Sequence, residues 1–294
     1  LPADRRLKAV ARISVVVPCY NAHRYLADTL ASVRAQTFSG IEIVLVDDGS
    51  NDPATLAFLA ELASDIVFVR KPNGGLSSAR NAGFAAATGS YVLPLDADDQ
   101  VAPDMLARCA ALLDADPTVD FVYTQIDVFG DERGVVRKTW NRFEQLATNQ
   151  LPYCMLMRKS AWAKVGGYDE AMREGYEDWE FNLRLSKAGL RGVALAAPLF
   201  RYRRLATGML RSVSQQRHAR LWRQMRRKHP DLYGFSGLWS LWRQWRGRPS
   251  THPLALVWLL LAATFVLPDR LFSRLFLALH RIGHSARNQD AVLD

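Results

Sequence analysis

Between Ile13 and Leu95 the chain alternates short apolar runs with stretches of helical spacing, and does so four times. Ile13–Val17 is apolar and ends at Pro18. Tyr25–Gln36 then sets Leu26, Leu30 and Val33 on one helical face. Ile41–Val46 stops at Asp47-Asp48-Gly49, and Pro53 opens the next helix in its first turn, where a missing N–H costs nothing. Ile66–Arg70 reads as a third strand. Pro72-Asn73-Gly74-Gly75 turns the chain into helix Leu76–Ala87, and Gly89 leads into a fourth strand, Tyr91–Leu95. Strands separated by helices of this length predict βαβ units and a mostly parallel sheet. Such sheets bind ligands in the crevice at the carboxyl ends of their strands. The polar clusters fall there: Tyr20-Asn21 after the first strand, Asp47-Asp48 after the second, Asp96-Ala97-Asp98-Asp99 after the fourth.

Further on, Phe121–Phe129 and Val135–Trp140 read as strands joined through a turn at Gly130–Gly134. Trp179–Ala188 reads as a helix that ends at Gly189 and is preceded by Glu177-Asp178. No internal repeat or low-complexity tract is present.

The clusters suggest chemistry, each beside a plainer alternative. Asp96 and Asp98 at the end of a buried strand bring two carboxylates near one point, which suits Mg²⁺ or Mn²⁺ bridging a diphosphate. The alternative is a solvated acidic loop capping the helix from Pro103. Tyr20 can offer a flat surface to a nucleobase and Asp48 an acceptor; alternatively Asp47 and Asp48 cap a helix and Tyr20 is core. Gly74 and Gly75 let backbone approach a ligand, and Arg80, one turn into the helix, carries a fork of donors for phosphate or a base carbonyl. The alternative is a turn followed by a surface helix. Asp178 can serve as a general base with Glu177 beside it, or can simply cap its helix; the two roles coexist.

Charge divides the chain. Residues 1–190 carry 20 Lys/Arg against 25 Asp/Glu, whereas residues 191–294 carry 18 against 4. Within the basic part, Val213–His229 is Arg-rich with helical spacing, and Trp239, Trp242 and Trp245 stand beside Arg243, Arg246 and Arg248. Trp next to Arg is a membrane-interface composition. Leu254–Leu267 is 14 residues without a charge, short for a span and of a length found in buried, re-entrant or interfacial helices. Leu271–Ile282 reads as an amphipathic helix. Packing on the rest of the chain or on another subunit is the alternative to a membrane surface for residues 213–283. No helix-turn-helix, zinc or RNA-binding motif supports nucleic acid as the partner. Cys19, Cys109 and Cys154 are widely spaced and show no metal-ligand pattern, so reduced thiols are expected. With no signal-peptide pattern at the start, the expected location is cytoplasmic, peripheral at the inner face of the cell membrane.

In order, the chain reads Val-Pro-x-Tyr-Asn, Asp-Asp-Gly-Ser-x-Asp, Asn-x-Gly-x-Ser-x-Ala-Arg-Asn-x-Gly, Asp-x-Asp-Asp and Glu-Asp-Trp. Over about residues 12–205 this resembles glycosyltransferase family 2, an inverting group. The resemblance implies an α/β GT-A fold: a Rossmann-like, mostly parallel sheet flanked by helices. It implies domains at 1–11 (an extension), 12–210 (the GT-A domain) and 211–294 (a basic helical appendage). The implied activity is metal-dependent sugar transfer from a nucleotide-diphospho-sugar to a saccharide or lipid-linked acceptor, in bacterial surface-polysaccharide assembly. Residue by residue, Pro18, Tyr20, Asn21, Asp47, Asp48, Asn73, Arg80 and Asp96 would lie at the nucleotide. Asp96, Asp98 and Asp99 would serve Mn²⁺ or Mg²⁺, and Asp178, with Glu177, would be the base.

Two departures stand out. Many relatives read Tyr-Arg-x-His after the last core strand, whereas Tyr202-Arg203-Arg204-Leu205 has leucine in that place, so a metal would lean on the Asp-x-Asp and water. Gln216–Trp222 does not fit the Gln-x-x-Arg-Trp of processive members, which favours one sugar per encounter. Among rival readings, a nucleotidyltransferase would carry a Gly-rich basic loop where Pro18-Cys19-Tyr20-Asn21 stands, and a dinucleotide oxidoreductase would show GxGxxG after the first strand. A catalytically inactive scaffold is opposed by the full set of carboxylates.

Overall fold

The computed structural model describes residues 12–62, 64–205, 218–268 and 271–272. They fall into two compact units. The first draws on Leu1–Lys138, Pro152–Arg173 and Arg184–Ala206, the second on Thr139–Leu151, Glu174–Leu183 and Thr207–Asp294.

The first unit is an α/β layer structure. Its centre is β1 (Ile13–Cys19), buried along its whole length, paired in parallel with β2 (Ile41–Asp47) and β4 (Tyr91–Pro94). β3 (Ile66–Arg70) adds in parallel to β2. Strands covered on both faces are nearly continuously apolar, and Ile-Ser-Val-Val-Val reads so apart from Ser14, whose hydroxyl donates to Glu42 and accepts from Gly89 N. Pro18 is tolerated in β1 because the β1–β4 ladder ends at Val16 and Pro94, so no bond is lost on that side.

The helices pack on this sheet. They are α1 (His23–Arg34), α2 (Pro53–Ala60), α3 (Leu76–Ala86), α4 (Met105–Ala115) and the short α5 (Lys159–Lys164). Asp52 caps α2, accepting from the Thr55 N–H at 2.8 Å, so the capping role falls to neither Asp47 nor Asp48. Helix α3 lies close on the sheet through Gly83, where a Cβ would sit 2.2 Å from Val16 Cγ1.

Beyond β4 the sheet continues through β8 (Met155–Arg158), β6 (Phe121–Gly130), β9 (Gly192–Arg204) and the two-residue β5 (Gln100–Val101); β7 (Gly134–Val136) pairs with β6. The β4–β8, β6–β8, β6–β7 and β5–β9 pairs are antiparallel. Most paired residues of the sheet still lie in parallel ladders, the longest being β6–β9. Its register shifts around Gln125, opposite Pro198, where a bulge absorbs the missing N–H.

The expected strand Val135–Trp140 is shorter than its apolar pattern suggests. After Val136 the Gln125 side chain takes over the pairing, accepting from Lys138 N and donating to its carbonyl. Strand β8 has no counterpart in the sequence pattern, and the last core strand, expected to end before Tyr202, runs through Arg204 as β9.

The second unit is helical. A 3₁₀ turn, Glu144–Leu146, is started by Asn141, whose Oδ1 accepts from Phe143 N and Glu144 N. Helix α6 (Glu177–Lys187) begins in this unit and ends in the first. Then come α7 (His218–Lys228), α8 (Pro230–Tyr233), α9 (Phe235–Trp245) and α10 (Leu254–Val266). Aromatic contacts join them, including Phe143–Trp258 at 5.1 Å and Trp140–Trp245 at 6.0 Å. Glu144, fully buried, accepts from Thr251 N, His252 N and His252 Nδ1, which fastens the segment before α10 to the 3₁₀ turn. Among the described residues no helix is long and apolar enough to cross a membrane. Residues 213–217 of the expected basic helix, and 273–282 of the expected amphipathic one, lie outside the described residues.

Candidate active site

The loops at the carboxyl ends of β1, β2 and β4 converge within the first unit. Asn21, after β1, adopts a left-handed φ of 52°, which a short amide side chain tolerates. Its Oδ1 accepts from Asn51 N and Asp52 N, and its Nδ2 donates to Asn51 Oδ1 at 2.9 Å. Asn21 thus ties the β1 loop to the β2 loop. Next to it Tyr20 is 49% exposed, a ring surface presented to solvent and not a core residue. Pro18 is buried within β1.

Asp47 is fully buried. Its Oδ1 accepts from Ser50 N at 2.9 Å, and its Oδ2 lies 3.2 Å from Arg70 Nε at an angle that makes an ion pair without a hydrogen bond. Asp48 collects three donors: Lys71 Nζ at 2.6 Å, Gly74 N at 3.0 Å and Gly75 N at 2.7 Å. Asp48 therefore shapes the Lys71–Gly75 loop, on which Asn73 is exposed. Gly49 must be glycine on two counts. Its φ is +76°, and a Cβ would stand 2.8 Å from Asn73 N.

The acidic motif follows β4. Arg80 of α3 is 1% exposed and donates from Nη2 to Asp96 Oδ1 at 2.7 Å. Its guanidinium sits over the rings of Tyr153 (4.8 Å) and Tyr168 (5.2 Å). The Tyr153 hydroxyl accepts from Asp96 N at 3.0 Å and donates to Asp99 Oδ2 at 2.5 Å. From β9, Arg203 N donates to Asp99 Oδ1 at 2.6 Å and Arg203 Nε to the Asp98 carbonyl at 2.8 Å. Asp99, expected among the metal ligands, thus has no exposed surface and both oxygens engaged inside the protein. It is a bracket between the acidic loop and β9. Asp96 and Asp98 are the members of the motif that keep partial exposure.

Three carboxylates crowd this strand end against two guanidiniums. Burial first, and the charge of Asp96 second, push the Asp98 carboxyl up to about 6. Burial, then Asp98 and Asp96, push Asp99 well above the carboxylate range. Among the described residues no group of three or more His, Cys, Asp or Glu side chains is arranged to hold a metal. The donor set nevertheless fits one of the ways Mg²⁺ and Mn²⁺ are held: one or two carboxylates, the remaining positions filled by phosphate oxygens and water. The three cysteines are free and buried, and burial raises Cys19 to about 11 and Cys109 to about 12, so they are inert thiols here.

Asp178 and Glu177 belong to the second unit. Asp178 lies in the first turn of α6. Its Oδ2 accepts from Asn149 Nδ2 at 2.8 Å and its Oδ1 from Trp179 N at 2.7 Å. Glu177 is 8% exposed. The approach to α6 is conformationally strained: Gly175 has φ 112° and Tyr176, a bulky residue, φ 64°. The Tyr176 hydroxyl pairs with His218 Nδ1 at 2.6 Å and its ring packs on Trp179, which holds it there.

Sequence reasoning missed Lys71, Tyr153 and Arg203 as parts of the site. Lys71 and Arg203 had a signal in their charge, next to an acidic loop and at the end of a strand. An isolated tyrosine such as Tyr153 reads in sequence either as core or as a sugar-stacking surface; it is buried, and its hydroxyl holds two motif aspartates.

Comparison with known proteins agrees with this geometry. The glycosyl transferase family 2 pattern matches residues 14–172, more than half of the chain. Hyaluronan synthase of Pasteurella multocida is 31% identical over 194 residues, 63% of this chain and 20% of that protein. The chain spans about a fifth of the length of this relative and of two others like it, a chondroitin synthase of the same organism and an uncharacterized protein of Sinorhizobium fredii. Among solved structures, S. aureus TarS 1–349 in complex with UDP-GlcNAc superposes with a TM-score of 0.60 at 22% identity, covering 73% of this chain and 65% of that one. A mannosyltransferase from Pyrobaculum calidifontis in complex with GDP-Man and Mn²⁺ does so with a TM-score of 0.57 at 19% identity, covering 96% and 88%. These likenesses establish the GT-A-like α/β fold. The match over residues 14–172 shows that the chain belongs to glycosyl transferase family 2.

Proposed function

We propose that this protein transfers a sugar, with inversion, from a nucleoside-diphosphate sugar to a hydroxyl of a saccharide or lipid-linked acceptor. The observation that carries the reading is the acidic strand end. Arg80, Tyr153 and Arg203 hold Asp96 and Asp99 in place and leave the Asp98 carboxylate partly open amid excess negative charge. Such a site gains from a cation and a diphosphate.

In this reading the exposed Tyr20 ring stacks on the base. Asp48, by gathering Gly74 N, Gly75 N and Lys71, presents the Lys71–Gly75 loop with Asn73 to the nucleotide. Asp96 and Asp98 would hold Mn²⁺ or Mg²⁺, which when bound supplies charge neutralisation on the diphosphate. Asp178 takes the proton from the acceptor hydroxyl. That oxygen forms the new bond to the anomeric carbon while the carbon–phosphate-oxygen bond breaks, its electron pair leaving with the nucleoside diphosphate. Asn149 and the Trp179 N–H orient Asp178 for this step, with the preceding residue, Glu177, as its positioning neighbour. The TarS complex with UDP-GlcNAc and the mannosyltransferase complex with GDP-Man and Mn²⁺ support a nucleotide-sugar donor. The hyaluronan synthase relative supports a setting in bacterial polysaccharide assembly. The basic, Trp-rich helices support a peripheral position at the inner face of the membrane.

Release of nucleoside diphosphate from a panel of nucleotide sugars tests the reading, with Mn²⁺, Mg²⁺ or EDTA, for the wild type and Asp98→Ala. Slow metal-dependent cleavage of one donor, absent in the variant, is the expected result. Absence of both cleavage and nucleotide binding would favour an inactive scaffold.

A further inference from the structure

The second unit contains a cavity of about 490 Å³ that no step of the transfer reaction uses. Its walls come from α7, α8 and the end of α10, with Phe272 closing one side. Trp222, Tyr233, Phe265 and Phe272 make those walls aromatic, with the Trp222 and Phe272 rings 4.5 Å apart. Arg223, Arg226 and Arg227 occupy positions i, i+3 and i+4 of α7, so three guanidiniums share the helix face that lines the cavity. Among the described lining residues there is no acidic side chain.

Arg226 is the arginine drawn inward. It is half-buried, stacks over the Phe265 ring at 4.6 Å, and donates from Nη1 to the Thr264 carbonyl at 3.2 Å. Among the described residues it pairs with no carboxylate. Burial lowers its pKa, and the charge of Arg223 adds to the effect. A half-buried cation that meets no carboxylate among the described residues gains from an incoming anion.

The surroundings say what else the ligand carries. Phe265 is 62% exposed, and Val266, beside it in sequence, is 79% exposed. Leu271, next to Phe272, is 51% exposed, and Phe235, which follows the lining residue Gly234, is 78% exposed. A water-soluble anion needs neither aromatic walls nor an apolar rim. A nucleic acid would be met by a basic surface, not by a walled cavity. Apolar rim, aromatic wall and inward guanidinium together match an anionic amphiphile at a bilayer surface.

We propose that this cavity is a lipid-phosphate site. The phosphate sits on Arg226 with Arg223 and Arg227 around it, the first part of the hydrocarbon chain lies against Trp222, Tyr233 and Phe272, and the exposed rim enters the membrane. Arginine suits the role because its fork binds two phosphate oxygens at once. The site shares no residue with the donor site, so it stands or falls independently of the transferase reading.

The test uses the full chain, following tryptophan fluorescence with octyl phosphate, inorganic phosphate and octanol as probes. Co-sedimentation with phosphatidylcholine vesicles, with and without phosphatidic acid, completes it. Octyl phosphate is expected to bind about tenfold or more tighter than either inorganic phosphate or octanol, and sedimentation to require phosphatidic acid. Arg226→Gln should lose about tenfold in octyl phosphate affinity, and Arg226→Lys should recover part of it, with donor hydrolysis unchanged. If Arg226→Gln melts early, Arg227→Gln, at an exposed position, carries the test. Equal affinity for inorganic phosphate would make this a soluble-anion site and overturn the proposal. So would wild-type affinity in folded Arg226→Gln, or no octyl phosphate binding by a folded wild type. Asp98→Asn should lose donor hydrolysis while keeping octyl phosphate affinity; octyl phosphate binding by a wild type that hydrolyses no donor would count against the transferase reading and support the lipid site.

Discussion

The two units treat charge in opposite ways. In the first, Asp47, Asp48, Arg80 and Asp99 are all buried, and donors or acceptors from several strand-end loops converge on them. In the second, buried carboxylates pair with histidines, as Glu144 with His252 and Glu180 with His229, while Arg243, Arg246 and Arg248 are exposed. Burying an ion demands several partners at fixed angles. Loops gathered at one end of a parallel sheet supply them, whereas a layer of helices offers mostly side-chain surface. On the proposed reading, the chemistry at the acidic strand end belongs to the first architecture, and docking to the second.

Asp178 is the exception that can break this division, because a catalytic base would then reside in the helical unit. Asp178→Asn keeps the shape and an acceptor oxygen but cannot take a proton. If Asp178 is the base, kcat for transfer falls by about 10²–10⁴ with the donor KM little changed. Steady-state kinetics with a competent acceptor decide it. A loss below about threefold would return all the chemistry to the first unit.

The next effect sharpens the comparison within the first unit. Asp98→Asn should lower metal-dependent donor turnover by about 10²–10³, comparable with removing one preorganised charge-stabilising group. The same change should raise the melting temperature of the metal-free protein. The sign follows from the raised pKa: below the ordinary carboxylate range Asp98 costs the fold nothing, and the cost grows as pH rises to about 6, where the group ionises among its acidic neighbours. Asparagine never pays it. Thermal melts at pH 4 and pH 7 should show the gain only at the higher pH; an equal gain at both would mean the effect is not electrostatic.

Tyr153→Phe comes third. It removes one hydroxyl that serves both Asp96 N and Asp99 Oδ2, leaving buried polar atoms without their partner. The expected cost is about 1–3 kcal/mol in denaturant unfolding at unchanged m-value. A neutral result would show that the acidic loop is held by Arg80 and Arg203 alone.

How much of this was readable beforehand depends on how local the cause is. Strands β1 to β4 appear within two residues of their expected ends because Asp47 and Gly89 punctuate the sequence where the structure turns, while β1 runs past Pro18 to Cys19. Strand β8 was missed because four residues, Met155–Arg158, carry no periodicity, and their strand state is set by pairing with β4 and β6. The acidic motif was legible as a motif, yet the division of labour inside it was not. Asp98 and Asp99 are the same residue type side by side. What separates them is a donor 104 positions away, the Arg203 N–H, and a tyrosine 54 positions away. Likewise nothing near Asp48 announces that Gly74 N and Gly75 N will fold back onto its carboxylate.

The smallest effect tests the comparison from outside the site. Arg34 on α1 reaches Asp65 with Nε and Nη2, both at 3.1 Å, a geometry close to the Arg80–Asp96 pair in distance. The difference is solvent: the Arg34 and Asp65 side chains are 43% and 54% exposed, against 1% for Arg80. Arg34 holds the Asp65 carboxyl below its usual range, but water and salt screen the pair. Arg34→Ala should therefore cost about 0–1 kcal/mol, shrinking further as salt is raised. Arg80→Ala should cost about 3–5 kcal/mol, because Asp96 loses its buried partner and two tyrosine rings lose the cation between them. Paired denaturation curves at low and high salt read both. If the two costs were alike, burial would not be what distinguishes them, and the contrast between inward and outward charge would lose its physical basis.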